Sequence, residues 1–234
     1  NGSPDDTLVI TNAGNSFDHA NAVALTDLGT AYITGSAFVS SDNYDFRTVK
    51  IDSLGNMLWV VDYDYNELMD EAKSIDVDAD ENIYITGYGT ADSVSEDFIT
   101  IKYDSSGSLQ WVKYFDGLGH GIDVARDIDV DSFGVAYVTG ETYNGDNSDF
   151  CTIAYQTSDG LLLWKDIYDG TGHCNDKATN VECDGEGIAY VSGQACINDS
   201  TYEYVTIKYY SRHVLIPPDS VPCPSSFAFY GNYG

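Results

Sequence analysis

The sequence predicts an all-β fold: a β-propeller of four-stranded antiparallel blades, four repeats of about 52 residues. Three observations carry this. First, one motif returns four times, as Ala31-Tyr32-Ile33-Thr34-Gly35, Ile83-Tyr84-Ile85-Thr86-Gly87, Ala136-Tyr137-Val138-Thr139-Gly140 and Ala189-Tyr190-Val191-Ser192-Gly193, its tyrosines spaced by 52 or 53 residues. A period that regular is the signature of a repeat architecture. Second, each repeat holds four short runs rich in Val, Ile, Thr, Tyr, Phe and Trp, the residues that suit a pleated surface. Third, no segment sustains a 3.6-residue apolar period, which leaves almost no helix.

The second repeat shows the elements best. Run one is Ala72 to Val77, run two Ile83 to Tyr88, run three Asp97 to Tyr103 and run four Leu109 to Phe115. Asp78-Ala79-Asp80-Glu81 and Asp104-Ser105-Ser106-Gly107 join them as tight polar turns. Run three recurs from Asp45, Asp149 and Glu203 with apolar residues on both alternating faces, so its sheet is covered on both sides. Such sheets repeated around an axis are propeller blades, whereas solenoid coils are usually shorter than about 50 residues. Run four carries Trp59, Trp111 and Trp164, again 52 or 53 apart. One Trp per repeat at a fixed offset reads as largely buried packing between neighbouring blades rather than a sugar-stacking ladder.

Three regions follow. Residues 1–17 hold an apolar strand, Thr7 to Thr11, that by offset fills a fourth-strand slot, closing its own ring or donated to a neighbour. Residues 18–210 are the four repeats. Residues 211–234 are a Pro-rich and aromatic tail in which Pro217-Pro218 stops a strand and Ser226 to Tyr230 starts another. Either the first stretch or the tail completes the last blade.

Composition narrows the partners. With 38 acidic and 10 basic residues the formal charge is −28, which excludes nucleic acid, because phosphate binding needs clustered Lys and Arg. Acidity of this kind keeps a protein soluble, and no run of about 20 apolar residues is present to span a membrane. The opening Asn1-Gly2-Ser3-Pro4 reads as a mature end after processing. Five cysteines and 19 tyrosines point outside the cell or to its surface, and Asn1-Gly2-Ser3 and Asn198-Asp199-Ser200 match a glycosylation triplet.

Asp123 to Gly140 and Asp97 to Trp111 resemble the bacterial propeller-repeat family called SBBP. Its pattern runs roughly Asp-x-Ala-x-x-Ile-x-Val-Asp-x-x-Gly-Asn-x-Tyr-Val-Thr-Gly, then Asp-Phe-x-Thr-x-Lys-Tyr-Asp-x-x-Gly and a Trp. The likeness covers about residues 18–210. Ala154 in place of the Lys, Glu81-Asn82 in place of Gly-Asn and Pro217 near the last Trp slot depart from it. The resemblance implies a secreted or surface propeller, often a module of a larger protein, with no shared catalytic residues.

Candidate chemistry is sparse. Asp78, Asp80 and Asn82, beside Asp76, form the densest oxygen cluster, and hard cations want several such ligands converging. That makes them a candidate calcium site, against an Asx turn as the plainer reading. No other cofactor is implied. Phe115 to His120 and Tyr168 to His173 repeat as Gly-rich loops, but no helix follows for a phosphate cradle, and His120 and His173 are too few for zinc. No nucleophile elbow or Ser-His-Asp context is present. Lys50, Lys102 and Lys208 end run three and are expected to pair with a repeat carboxylate, such as the Asp that begins run one.

Pairing strands one and two of the last repeat about the turn Asp184–Gly187 sets Cys183 opposite Ile188 and Cys174 opposite residue 197. One residue of stagger then brings Cys174 to Cys196 as a disulfide. Cys183 takes a core position, and Cys151 and Cys223 remain as a second pair. The functional expectation is a secreted, non-enzymatic structural or adhesive surface module. It self-associates as a homo-oligomer or filament by strand exchange. The alternative is a lectin-like propeller that binds glycans.

Overall fold

The computed structural model describes residues 18–40, 43–91, 95–198, 201–210 and 227–228. Each repeat becomes one antiparallel sheet whose strands lie in sequence order. Blade 1 holds β1 (His19–Leu25), β2 (Ala31–Ser40), β3 (Asn43–Ile51) and β4 (Met57–Tyr63). Blade 2 holds β5 (Asp70–Val77), β6 (Ile83–Thr90), β7 (Glu96–Tyr103) and β8 (Leu109–Phe115). Blade 3 holds β9 (Val124–Val130), β10 (Val135–Tyr143), β11 (Ser148–Gln156) and β12 (Leu162–Tyr168). Blade 4 holds β13 (Lys177–Cys183), β14 (Ile188–Asn198), β15 (Thr201–Tyr210) and the short β16 (Phe227–Ala228). β16 pairs with β15, Ile207 opposite Ala228 and Lys208 opposite Phe227, so the tail enters the last fourth-strand slot. The Thr7 to Thr11 stretch lies outside the described residues.

The recurring Tyr-x-Thr-Gly motif now has a physical reason. The first strand of every blade meets the second at a register irregularity, next to Ala20, Ala72, Ala178 and Gly140. A Cβ on Gly35, Gly87, Gly140 or Gly193 would lie about 2 Å from a first-strand carbonyl oxygen. Only glycine lets the bulged strand approach that closely. The hydroxyls of Thr34, Thr86 and Thr139 donate to third-strand carbonyls, at 3.1, 3.0 and 3.0 Å, which satisfies a buried polar group inside the sheet.

The core is distributed between blades rather than held in one centre. Ala72 and Ile75 of blade 2 cluster with Tyr32 and Phe46 of blade 1. Ala125 and Ile128 of blade 3 cluster with Tyr84 and Phe98, and Ala178 and Val181 of blade 4 with Tyr137 and Phe150. First strands of successive blades adjoin, β1 to β5, β5 to β9 and β9 to β13. They do not pair as a sheet. Carboxylates bridge them instead: the Asp76 carboxylate accepts the Val130 amide at 2.8 Å, and Asp127 accepts the Val181 amide at 2.9 Å. Asp129 does the same for Cys183. Otherwise bare strand edges are thereby satisfied.

The disulfide joins Cys174 to Cys196, Cα atoms 5.5 Å apart. The register differs from the expectation near the hairpin, where Cys183 faces Ala189 rather than Ile188. The irregularity between Ala178 and Asn180 then restores the expected pairing, Lys177 opposite Gln194, on the cysteine side. Cys183 is half-buried rather than fully enclosed, as are Val77 and Val130 at the same position of their first strands. Cys151 is a free thiol buried in blade 3, and Cys223 lies outside the described residues.

Candidate functional sites at the blade joints

Each joint is assembled from two unlike halves. The donor half is the far face of one blade, with the motif Tyr, the third-strand Phe, a Trp and, in blades 1 and 2, a Lys. The acceptor half is the next blade's Ala and Ile face with its third-to-fourth-strand turn. At the first joint the Lys50 ammonium lies 5.0 Å from the Tyr32 ring centroid and donates to the Ser105 carbonyl at 3.1 Å; the Trp59 indole donates to the same oxygen at 3.2 Å. At the second, Lys102 lies 5.1 Å from the Tyr84 ring, and Lys102 and Trp111 both donate to the Thr157 carbonyl, at 2.8 and 3.1 Å. Trp164 packs on Tyr209 of blade 4 with centroids 5.0 Å apart. Each Trp therefore reaches into the following blade. Trp111 is buried as expected, but Trp59 and Trp164 are only half-buried.

The lysines correct one expectation. Lys50 makes its ion pair with Glu81 in the neighbouring hairpin at 2.9 Å, and Lys102 takes a backbone carbonyl; neither meets the Asp that begins a first strand. Lys208 lies over the rings of Tyr190 and Tyr210.

The dense cluster at Asp78, Asp80 and Asn82 forms a hydrogen-bonded turn. Asp78 Oδ1 accepts the amides of Asp80 and Asn82 at 3.0 and 2.9 Å, and Oδ2 accepts the Asn82 side chain and the Tyr84 hydroxyl, both at 2.8 Å. Asp131 and Asp184 organise their turns in the same manner. The turn engages both carboxylate oxygens of Asp78 in the manner of an Asx turn.

Three other carboxylate groups converge where the sequence shows no local density. Asp45, Asp64 and Asp70 meet at the first joint, Asp97, Asp116 and Asp123 at the second, and Asp149, Asp169 and Asp176 at the third. In each, one residue lies within the first three residues of a third strand, one follows a fourth strand and one begins or immediately precedes the next blade's first strand. Backbone amides of the connecting loops hold the innermost members. The Tyr65 amide donates to Asp70 at 2.5 Å and Gly117 to Asp123 at 2.6 Å, and Gly170 donates to Asp176. Asp123 also takes the Thr142 hydroxyl at 2.6 Å, and Asp176 the Cys196 amide at 2.6 Å. Burial, with neighbouring carboxylates adding to it, pushes Asp45 up to about 6 and Asp70 up to about 8. Burial likewise raises Asp123, Asp149 and Asp176. His120 and His173, exposed on their loops, hydrogen-bond Asp116 and Asp169 at 2.6 Å, which raises both imidazoles above their usual range.

The two ends of the arc carry half a joint each. Val23 of β1 is 60% exposed, whereas its counterparts Ile75, Ile128 and Val181 are 7%, 3% and 3% exposed. Tyr204 of β15 is 80% exposed, against 1% for Phe46, Phe98 and Phe150. Tyr190 is 38% exposed, whereas Tyr32, Tyr84 and Tyr137 are fully buried. A separate cleft of about 260 Å³ lies on the outer side between blades 2 and 3, lined by Lys113, Tyr114, Phe115, Leu161 and Lys165 among others.

No known protein family and no curated protein matches the chain. Solved structures do. The Dos1 propeller is similar with a TM-score of 0.54 and 15% identity, over 84% of this chain and 46% of that one. The hydrazine synthase of Kuenenia stuttgartiensis has a TM-score of 0.54 and 10% identity, over 82% and 51%. A Bacillus subtilis levansucrase in complex with oligosaccharides has 0.50 and 12%, over 86% and 70%. The chain spans about half the length of the first two. These likenesses show the propeller fold. Family-43 glycoside hydrolases and a polysaccharide lyase also occur among the similar structures. The levansucrase is an enzyme on this fold, which corrects the expectation that a propeller of this kind is not an enzyme.

Proposed function

We propose that the chain is an extracellular structural or adhesive propeller module that assembles head to tail with further copies of itself. The observation that carries this is the pair of complementary half-joints at the two ends. Blade 4 presents Tyr190, Tyr204 and Lys208 in the places where blades 1 to 3 present a buried Tyr, a buried Phe and, in blades 1 and 2, a carbonyl-seeking Lys. Blade 1 presents Ala20, Val23 and the turn at Ser53, which correspond to Ala72, Ile75 and Ser105. Whatever covers one end must resemble the other end, and a second copy supplies that surface. Apolar faces of this kind mark interaction sites. A heterologous contact closes into a ring or continues as a filament. Strand exchange through Thr7 to Thr11 is compatible with this but not required by it. The disulfide between Cys174 and Cys196 fits an oxidising compartment. Among the described residues no helix is long and apolar enough to cross a membrane.

Light scattering over a concentration series tests the reading. Wild-type protein should grow in mass, and Tyr204→Asp or Val23→Asp should each hold it at a single chain. Mixing the two variants leaves one intact joint, so dimers and nothing larger should form. A wild type of constant single-chain mass, meaning an arc that closes on itself, would reject the proposal. Glycan binding is the second reading. Its place is the outer cleft, where Tyr114 and Phe115 offer rings beside Lys113 and Lys165. A glycan array that stays silent for wild type removes it.

A further inference from the structure

We infer that the three interblade aspartate triads, Asp45/Asp64/Asp70, Asp97/Asp116/Asp123 and Asp149/Asp169/Asp176, are divalent-cation sites of calcium type that clamp one blade to the next. In each triad one carboxylate oxygen from every residue lies within 4.8 Å of the others. Calcium binds oxygen at about 2.3–2.6 Å, so two oxygens on one ion are at most about 5 Å apart. All three members fit that limit at once. The donors are all carboxylates, which favours a hard cation over zinc or copper. The same three positions converge at three successive joints, so the arrangement belongs to the repeat and not to chance in an acidic chain.

A second observation points to a missing ligand. Asp70 and Asp149 are 0% and 3% exposed, and Oδ1 of each accepts no hydrogen bond, as does Oδ1 of Asp45. A buried carboxylate oxygen without a partner is costly. At the first triad charge compensation is also short. Arg47 is the base whose charge acts on Asp45, and it is committed to Asp62 at 2.7 Å. A bound ion would tie the end of a fourth strand to the third strand before it and to the next first strand.

The clamps lie within one chain, so their test is independent of self-assembly. Protein freed of metal with a chelator is titrated with calcium chloride by calorimetry and melted with and without it. Binding should saturate near three equivalents per chain, and the melting temperature should rise by several degrees. Asp149→Asn should remove about one equivalent, and Asp45→Asn/Asp97→Asn/Asp149→Asn should remove all three. Asp80→Asn, in an exposed turn, should change nothing. Terbium emission sensitised by nearby tyrosines and displaced by calcium gives a second readout on wild type if the triple variant fails to fold. Absence of saturable binding or of displaceable emission overturns the inference. So does an equal thermal rise in sodium chloride of matched ionic strength.

Discussion

The inner joints and the outer ends are made of the same residues, yet only the inner ones are satisfied. Phe98 at the second joint is buried against Ala125 and Ile128, while Tyr204, its counterpart in blade 4, stands 80% exposed. Burying a large aromatic is worth about 1.5–3 kcal/mol, and that gain is withheld at each end. In a repeat architecture stability is roughly a sum of unit and interface contributions. Four blades with three filled joints are therefore one joint short of a closed or continued array.

The largest expected effect separates the two environments directly. Phe98→Ala should cost about 3–5 kcal/mol in urea unfolding, the usual range for truncating a core aromatic. Trp111→Ala, at the same joint and buried, should fall in that range as well. Tyr204→Ala, measured on single chains at low concentration, should stay within about 0.5 kcal/mol, as surface changes do. Equal losses at Phe98 and Tyr204 would mean that the last face is covered in solution.

A second comparison is between joints with and without a covalent tie. Gly119 donates to the Tyr143 carbonyl and Gly172 to the Cys196 carbonyl, so the loops of the second and third joints are held alike. The third adds the Cys174–Cys196 disulfide across a sequence separation of 22. Loop entropy for that span gives about 3 kcal/mol. Reduction should lower the unfolding free energy by about that amount, and hydrogen exchange should localise the loosening to blade 4. Uniform loosening would show that the blades melt as one unit.

These contrasts also explain what the sequence disclosed. The blades were legible because Tyr32, Tyr84, Tyr137 and Tyr190 sit at one offset and strand chemistry is local. The tail in the last slot was legible only as one of two candidates, because pairing of β16 with β15 is not local. The triads escaped because attention to density favours Asp78, Asp80 and Asn82. Asp45, Asp64 and Asp70 spread over 26 residues and converge only after a blade has folded and handed over to the next. Their signal was present in the 52- or 53-residue recurrence of each member, which density does not measure. Exposure of Val23 and Tyr204 was not legible, since ring closure depends on geometry that no residue pattern encodes.

The smallest effect concerns the axis, where carboxylates replace strand pairing. Asp76 accepts the Val130 amide and lies against Asp129 of β9 and near Tyr84 of β6; burial first, and the Asp129 charge with it, raise its carboxyl to about 7. The unfolded chain holds the same group at the ordinary carboxylate value of about 4. Between these two values the native state binds a proton that the unfolded state has released, so stability falls as pH rises from about 4 to about 7. Asp45 and Asp70, raised in the same direction, add to the slope in metal-free protein. Asp76→Asn keeps an oxygen for the Val130 amide and removes the charge. The variant should match wild type near pH 4, exceed it modestly near pH 8, and show a flatter dependence between. Because the triads are untouched, the difference between the two curves isolates Asp76. A variant curve parallel to wild type across the window would show that Asp76 carries no proton in the native state over that range. The axial bridge would then be held by an ionised Asp76 stabilised by the Val130 amide it accepts.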